Sequence, residues 1–510
     1  MVNFMKNIIN KLKKETNSNS FIVYRKKHLL YKSIYIIFNE TLISSDTVSD
    51  FIIRSLNKIK IPTYQNIINR ISNFKYKEIS TYEDITYYLN SGFTIILVSK
   101  NKYLALETRK NLTRSISTPT TENTPRGALD SFTENIEINV GLIKRRIKSN
   151  DLWIKNYRLG KYTDTSVAML YIKSIAKEEL VDKIDKLINN INIDGLVAAG
   201  MLRNLIEKEN KNAFPNALSA EKPYTATRYL LMGNIVILVD NDPFAIILPI
   251  TLNDNFISEE DDYNKSINVS VTRLIRYLTF VITILTPSVY LALTTYNQEI
   301  IPINLLISIA AQRENVPFPA FIECIFMIIA FEILRESDLK LPSFASSAIS
   351  IVGALILGEA AVNAGIVSPI MIIVVAITAI SSLTFVEPEF NNALRIKRLV
   401  FMLGASILGI YGILLVSILF LINLSSYNFL GLPYLSPFAP PDKGRIKDSI
   451  IKFPTIKIRK RNPILTNNIT KNASIPPHST NENESTIKQK NTNKESNKES
   501  IKEPIYEKEN

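Results

Sequence analysis

Residues 399–423 read LVFMLGASILGIYGILLVSILFLIN, without one charged side chain between Leu399 and Asn423. A run of this length covers a hydrocarbon core of roughly 30 Å as a helix. In lipid only a helix or a closed barrel satisfies its own backbone, and the run lacks the short alternating segments of barrel strands. Leu274–Tyr296 and Ile366–Val386 are similar and nearly uninterrupted. Together the three runs mark residues 271–441 as a multi-pass α-helical membrane domain.

Outward from that block the composition changes. The chain has 510 residues and a formal net charge of +13, a balance that raises nucleic-acid binding as an option. Its placement argues otherwise. Arg273 and Arg276 precede the first run, Arg395, Lys397 and Arg398 precede the last, and Lys443 to Arg461 follow it. Positive charge beside apolar spans is the orientation signal of cytoplasmic loops, so the N-terminal half and the basic tail are expected to be cytosolic. A tail on that side requires a segment that turns back, and Leu424–Pro441 is the candidate. The one cysteine, Cys324, excludes an intrachain disulfide framework. His28 and His478, far apart, leave no His-rich metal site. Only 15 glycines are present, no phosphate-binding loop or nucleophile elbow is found, and no enzyme, cofactor or metal is expected.

The first half reads as α+β. Ile34–Phe38 is a strand candidate, and a helix over Val48–Ile59 follows with Asp46 placed to cap it. Phe93–Val98 and Tyr103–Glu107 flank a polar Ser-Lys-Asn-Lys turn, the pattern of a hairpin. Ser115–Pro125 is a connector. Trp153–Leu159 and Val167–Ile172 form a second pair of strands, and Glu178–Ile191 carries an apolar stripe at helical spacing. Ile235–Val239 and Phe244–Ile250 bracket the turn residues Asp240 to Pro243. No internal repeat is visible. The expected organisation is a flexible N-terminus over 1–20, with two small cytosolic α+β subdomains at 21–125 and 126–270. The membrane domain follows at 271–441, and then a tail at 442–510, basic at first and disordered from Pro463 onward. In the N-terminus, Phe4, Ile8 and Leu12 recur at helical spacing, which suits either a membrane surface or a locally packed helix.

Carboxylates inside the membrane block stand out, because an ionisable group there costs at least about 2.5 kcal/mol and faces protein or water. Glu323, Glu332 and Glu359, with Asn363, suit the lining of a cation or proton path. They suit equally the pairing of helices, with Arg335 three residues from Glu332 as one partner. Gly358 with Ala354, and Gly409 with Ala405, stand at the four-residue spacing of small residues that lets helices approach closely.

Several of these segments carry a family resemblance. Val316–Glu323 (VPFPAFIE), Glu332–Glu336 (EILRE), Ile351–Gly365 (IVGALILGEAAVNAG) and Gly431–Pro440 (GLPYLSPFAP) resemble the membrane signatures of the GerA-type spore germination receptor A-subunit family. Leu142–Lys148, Asp194-Gly195 and Ile235–Pro249 agree in the first half. Two soluble loops depart from the family pattern, at Arg126–Phe132 and at Ala220–Tyr224. The resemblance implies a subunit of a nutrient receptor in the spore inner membrane that triggers germination. Such a subunit works with a transporter-like B subunit and a lipoprotein C subunit, forms homo-oligomers, and makes or supports a cation-conducting channel. The rival readings are a membrane scaffold of that complex and a secondary transporter, although a transporter calls for repeats in its membrane half.

Overall fold

The computed structural model describes residues 2–15, 21–29, 32–59, 63–71, 76–79, 81–99, 102–109, 119, 122, 126–207, 213–338, 358–385, 387–453 and 461–467. Most of the connector at 115–125, the segment 339–357 and the tail from 468 lie outside them.

Two five-stranded antiparallel sheets build the first half. The first orders its strands β1-β2-β4-β5-β3, from β1 (Ile22–Leu29), β2 (Lys32–Asn39), β3 (Tyr76–Ile79), β4 (Phe93–Ser99) and β5 (Lys102–Glu107). The second orders them β6-β7-β9-β10-β8, from β6 (Leu152–Leu159), β7 (Thr165–Ile172), β8 (Leu218–Ala220), β9 (Ile235–Val239) and β10 (Ala245–Leu248). With β1 matched to β6 and so on, the order is identical, and the helices interleave at corresponding places. The soluble half is therefore an internal repeat at the level of topology, which the sequence pattern does not reveal.

The inner strands of each sheet are buried on both faces, which explains their dense apolar runs. Along β2 the period of two sends Ile34, Ile36 and Phe38 to the core under Val48, Ile52 and Leu56, and Tyr35 and Ile37 to the opposite core. That second core also holds Ile9 and Leu12 of the helix Val2–Glu15. Within the stretch 1–20 expected to be flexible, the helix Val2–Glu15 packs through these two residues, with Lys11 Nζ 4.1 Å above the Tyr82 ring, and residues 1 and 16–20 lie outside the described residues. In the second subdomain the helix Glu178–Asn189 presents Leu180, Val181, Ile184 and Ile188 to the sheet. The cap expected from Asp46 comes instead from Ser44, whose side chain accepts from Thr47 N–H at 3.4 Å. Asn135 does the same for Ile136–Arg146, accepting from Glu137 and Ile138.

The apolar block departs from three simple crossings. Leu274–Tyr296 falls in one 30-residue helix, Ser266–Thr295, with Tyr296 the residue just after its end. The run Ile366–Val386 yields only Pro369–Ser382, 14 residues or about 21 Å, which is short for a span. The quoted run at 399–423 is not one straight helix. It belongs to Pro388–Ser426, whose helical dihedrals fail at Gly409 (φ 60°, ψ −135°). The rings of Phe401 and Phe420 lie 5.8 Å apart, whereas an unbroken helix would separate them by roughly 28 Å. The chain reverses at Gly409 into a helical hairpin, with arms of about 31 Å (388–408) and about 25 Å (410–426). Gly404 and Gly412 let the two backbones touch: a Cβ on Gly404 would stand 2.7 Å from Val416 Cγ2. At the tip, Asn297 Oδ1 accepts from Ile410 N–H at 3.1 Å, and Tyr296 donates to Ser406 O at 2.8 Å.

The turn back expected at Leu424–Pro441 therefore occurs earlier, and the described residues 427–453 and 461–467 return to the soluble half. The short strands Asn428–Phe429 and Leu432–Pro433 place Phe429 and Leu432 in the second subdomain's core. Tyr434 is fully buried, with its carbonyl accepting from Leu252 N–H at 2.8 Å. Further on, Thr466 bridges Ala176, Lys177 N–H donates to Leu465 O at 2.9 Å, and Leu465 is buried. The disorder expected from Pro463 onward is thus wrong for residues 463–467.

Candidate functional site

Glu323 stands in the first turn of the helix Ala320–Asp338 and is 1% exposed. Its Oε1 accepts from Ser368 N–H at 2.6 Å and from Ser368 Oγ. Arg313 Nε lies 3.7 Å from Oε2. Ser368 precedes Pro369–Ser382, so the carboxylate sits against a helix N-terminus, where partial positive charge and free N–H groups favour an anion. Glu323 ties together the ends of three helical segments, Ile303–Arg313, Ala320–Asp338 and Pro369–Ser382.

Glu332 is roughly 13 Å further along the same helix axis. Arg335 Nη2 lies 3.0 Å from it, as the spacing suggested, and the hairpin arm adds Arg395 Nη1 and Arg398 Nη2, each at 3.3 Å. Glu359 and Asn363 are exposed, four residues apart and so on one helical face. Gly358 is buried, and a Cβ there would meet Ile372 at 3.7 Å, an ordinary contact that requires no glycine. The five candidates do not gather into one constellation: two are held in ion pairs inside the helices, and two face outward.

A second polar centre lies where the soluble half meets the helices. Arg203, 2% exposed, has Nη1 2.9 Å from Glu387 Oε1 and Nη2 2.6 Å from Glu389 Oε2, and it donates to Ser219 Oγ at 2.8 Å. Asp261 receives Arg273 Nε at 2.7 Å and Arg276 Nη1 at 2.9 Å, and Arg273 also donates to Asp448 O at 2.6 Å. Lys222 Nζ is 2.7 Å from Glu259 Oε2, both buried. A cavity of about 550 Å³ opens between these pairs, lined by Arg203, Asp254, Glu259, Arg276 and Glu387 among others. Burial raises the carboxyls of Glu387 and Asp254 above their ordinary range, against the pull of Arg203 on the first and the Thr251 hydrogen bonds on the second. Burial likewise pushes Glu122 up to about 7.

Sequence reasoning read Arg273 and Arg276 as orientation charges beside a span. They are buried partners of Asp261 and join the long helix to the domain before it. The acidic run Glu259–Asp262 just upstream was the available signal for this. Arg203 and Glu387 carried none, being 184 positions apart.

These features define an α+β module fixed by buried ion pairs to an apolar helical block. Residues 10–464 match the family described as Bacillus/Clostridium GerA spore germination protein, and the chain belongs to that family. It is similar to Spore germination protein KA of Bacillus subtilis (strain 168), 41% identical over 350 residues, covering 68% of this chain and 64% of the relative. It is also similar to the uncharacterized membrane protein YfkQ of the same organism, 38% identical over 363 residues, 71% of this chain and 70% of that one. Among solved structures, the crystal structure of the N-terminal domain of the A subunit of the Bacillus megaterium spore germinant receptor GerK3 matches 47% of this chain and 92% of that one. That match has 25% identity and a TM-score of 0.37.

Proposed function

We propose that the chain is the A subunit of a nutrient germinant receptor in the spore inner membrane. In this reading the soluble half and residues 427–467 face the cytosol, and the long helix and the hairpin cross the bilayer. The subunit assembles with copies of itself, a transporter-like B subunit and a lipoprotein C subunit, and it triggers germination by forming or supporting a cation channel. It does this without catalysis or a cofactor. The observation that carries the reading is the family match over residues 10–464. The apolar 30-residue helix Ser266–Thr295 and the two apolar arms of the hairpin within Pro388–Ser426 support its membrane part. The exposed face of Glu359 and Asn363 is where cations or a second copy would meet polar groups.

A scaffold role is the second reading. It is favoured by the ion pairs of Glu323 and Glu332, which spend both carboxylates on neighbouring helices. Recording from the purified, reconstituted receptor separates the two. Nutrient-gated cation current that changes in Glu359→Gln at equal assembly supports the channel. An assembled complex that carries no current under nutrient supports the scaffold and overturns it.

A further inference from the structure

Glu332 faces three guanidiniums with one carboxylate. Arg335, Arg395 and Arg398 all approach it within 3.3 Å, yet only the Arg398 contact has the geometry of a hydrogen bond. Arg398 has its side chain 6% exposed, and its Nε is buried without a hydrogen-bond partner, as is Arg335 Nε. A guanidinium offers five donors, so the cluster holds many more donors than two carboxylate oxygens can accept. Glu336 lines the same groove, and among the described residues that line it three arginines face two carboxylates. The groove has a volume of about 500 Å³, and its other walls are Ile328, Ile329, Ile333 and Leu399, with Ser337 the one further polar residue among the described lining. Ile329 and Ile333 are 53% and 62% exposed.

A guanidinium cluster rimmed by exposed isoleucines fits one ligand chemistry, an anionic head on an apolar chain. We propose that the groove between the helices Ala320–Asp338 and Pro388–Ser426 binds the phosphate of an anionic phospholipid, with an acyl chain along Ile329 and Ile333. Position agrees. Arg335 is near the C-terminal end of its helix, and Arg395 is within roughly 10 Å of the start of the hairpin, the end at which the soluble half docks. Basic pockets between helices at that level hold lipid headgroups. A planar guanidinium pairs with phosphate through two parallel bonds, so the missing acceptors are supplied together with the missing negative charge. The inference rests on the membrane-spanning reading above.

The test uses the full chain purified in mild detergent and equilibrated with phosphatidylglycerol or phosphatidylcholine, with retained lipid counted by native mass spectrometry. Retention of phosphatidylglycerol about tenfold over phosphatidylcholine is expected, a difference of about 1.4 kcal/mol. Arg395→Gln, which alters a partly exposed side chain, should cut that preference several-fold. Glu332→Gln removes the competing carboxylate and should increase it, whereas a purely structural cluster would lose stability with no gain in lipid. Equal retention of the two lipids, or no opposite response of the two variants, overturns the proposal. Displacement of phosphatidylglycerol by millimolar inorganic phosphate would assign the cluster to a free anion and also overturn it. Failure of the membrane reading is distinguishable, because the chain would then purify from the soluble fraction without detergent.

Discussion

Gly409 is the residue on which the hairpin turns, and replacing it gives a measurable test. At φ 60° and ψ −135° its backbone lies where side chains are strained, a cost of about 1–3 kcal/mol for a residue with a Cβ. A Cβ would also stand 2.7 Å from Asn297 Oδ1 and 2.8 Å from Tyr296 Cβ. Asn297 must then withdraw from Ile410 N–H, losing about 1 kcal/mol more. Gly409→Ala should therefore weaken the reversal by about 2–4 kcal/mol. The straight alternative, an unbroken 39-residue helix, would be about 58 Å long. Cysteines at 404 and 416 report the difference. The Cβ position of Gly404 is 2.7 Å from Val416 Cγ2 in the hairpin, and in a straight helix the two positions are about 18 Å apart. Gly404→Cys with Val416→Cys should form an intramolecular disulfide on mild oxidation, read as a reducible mobility shift, and Gly409→Ala should reduce its yield. Cys324 is buried and gives little background. Equal disulfide yields with and without Gly409→Ala would refute the reasoning.

Other expectations are as direct. Truncation after Ile469 should leave the thermal midpoint unchanged, whereas truncation before Pro463 should lower stability by about 2–5 kcal/mol through loss of buried Leu465 and of the backbone bonds that join Leu465 to Lys177 and Asn467 to Ile175. Arg203→Met leaves Glu387 buried beside Glu389 and should cost about 3–5 kcal/mol, with Arg203→Met/Glu387→Gln recovering part of it in a denaturant titration. Lys144 is pushed down to about 7 by burial, so between that pH and its ordinary value near 10.5 the unfolded chain binds the proton that the folded chain releases. Stability from this group must rise as pH rises through that window, and Lys144→Met should flatten the slope of melting temperature against pH between 7 and 10.

Legibility in the sequence follows how local the cause is. Ile235–Val239 was readable with correct ends because every residue of it is apolar and a polar turn follows. The hairpin of β4 and β5 was readable from its turn, and the helix Glu178–Asn189 from its stripe. Gly409 could be read only as a small residue inside a span, since its role depends on Asn297 more than a hundred positions away. Ile464 and Leu465 are two adjacent apolar side chains in a polar stretch with no period, and only the sheet they cover brings them to the core. Of the candidate site, the spacing of Glu332 and Arg335 was legible, but Arg395 and Arg398 reach them from another helix. The Ser368 partner of Glu323 likewise comes from 45 positions away.

The lacing of Leu465 and Phe429 into the second sheet also orders events during synthesis. A ribosome releases β6 through β10 long before residues 427–467 exist, so the nascent subdomain carries an uncovered apolar patch beside Leu180 and Ile184 while the helices are made. The subdomain is completed only when the hairpin has turned and the chain has come back. A hairpin that failed to reverse at Gly409 would keep Phe429 and Leu465 from reaching the sheet and would leave that patch open.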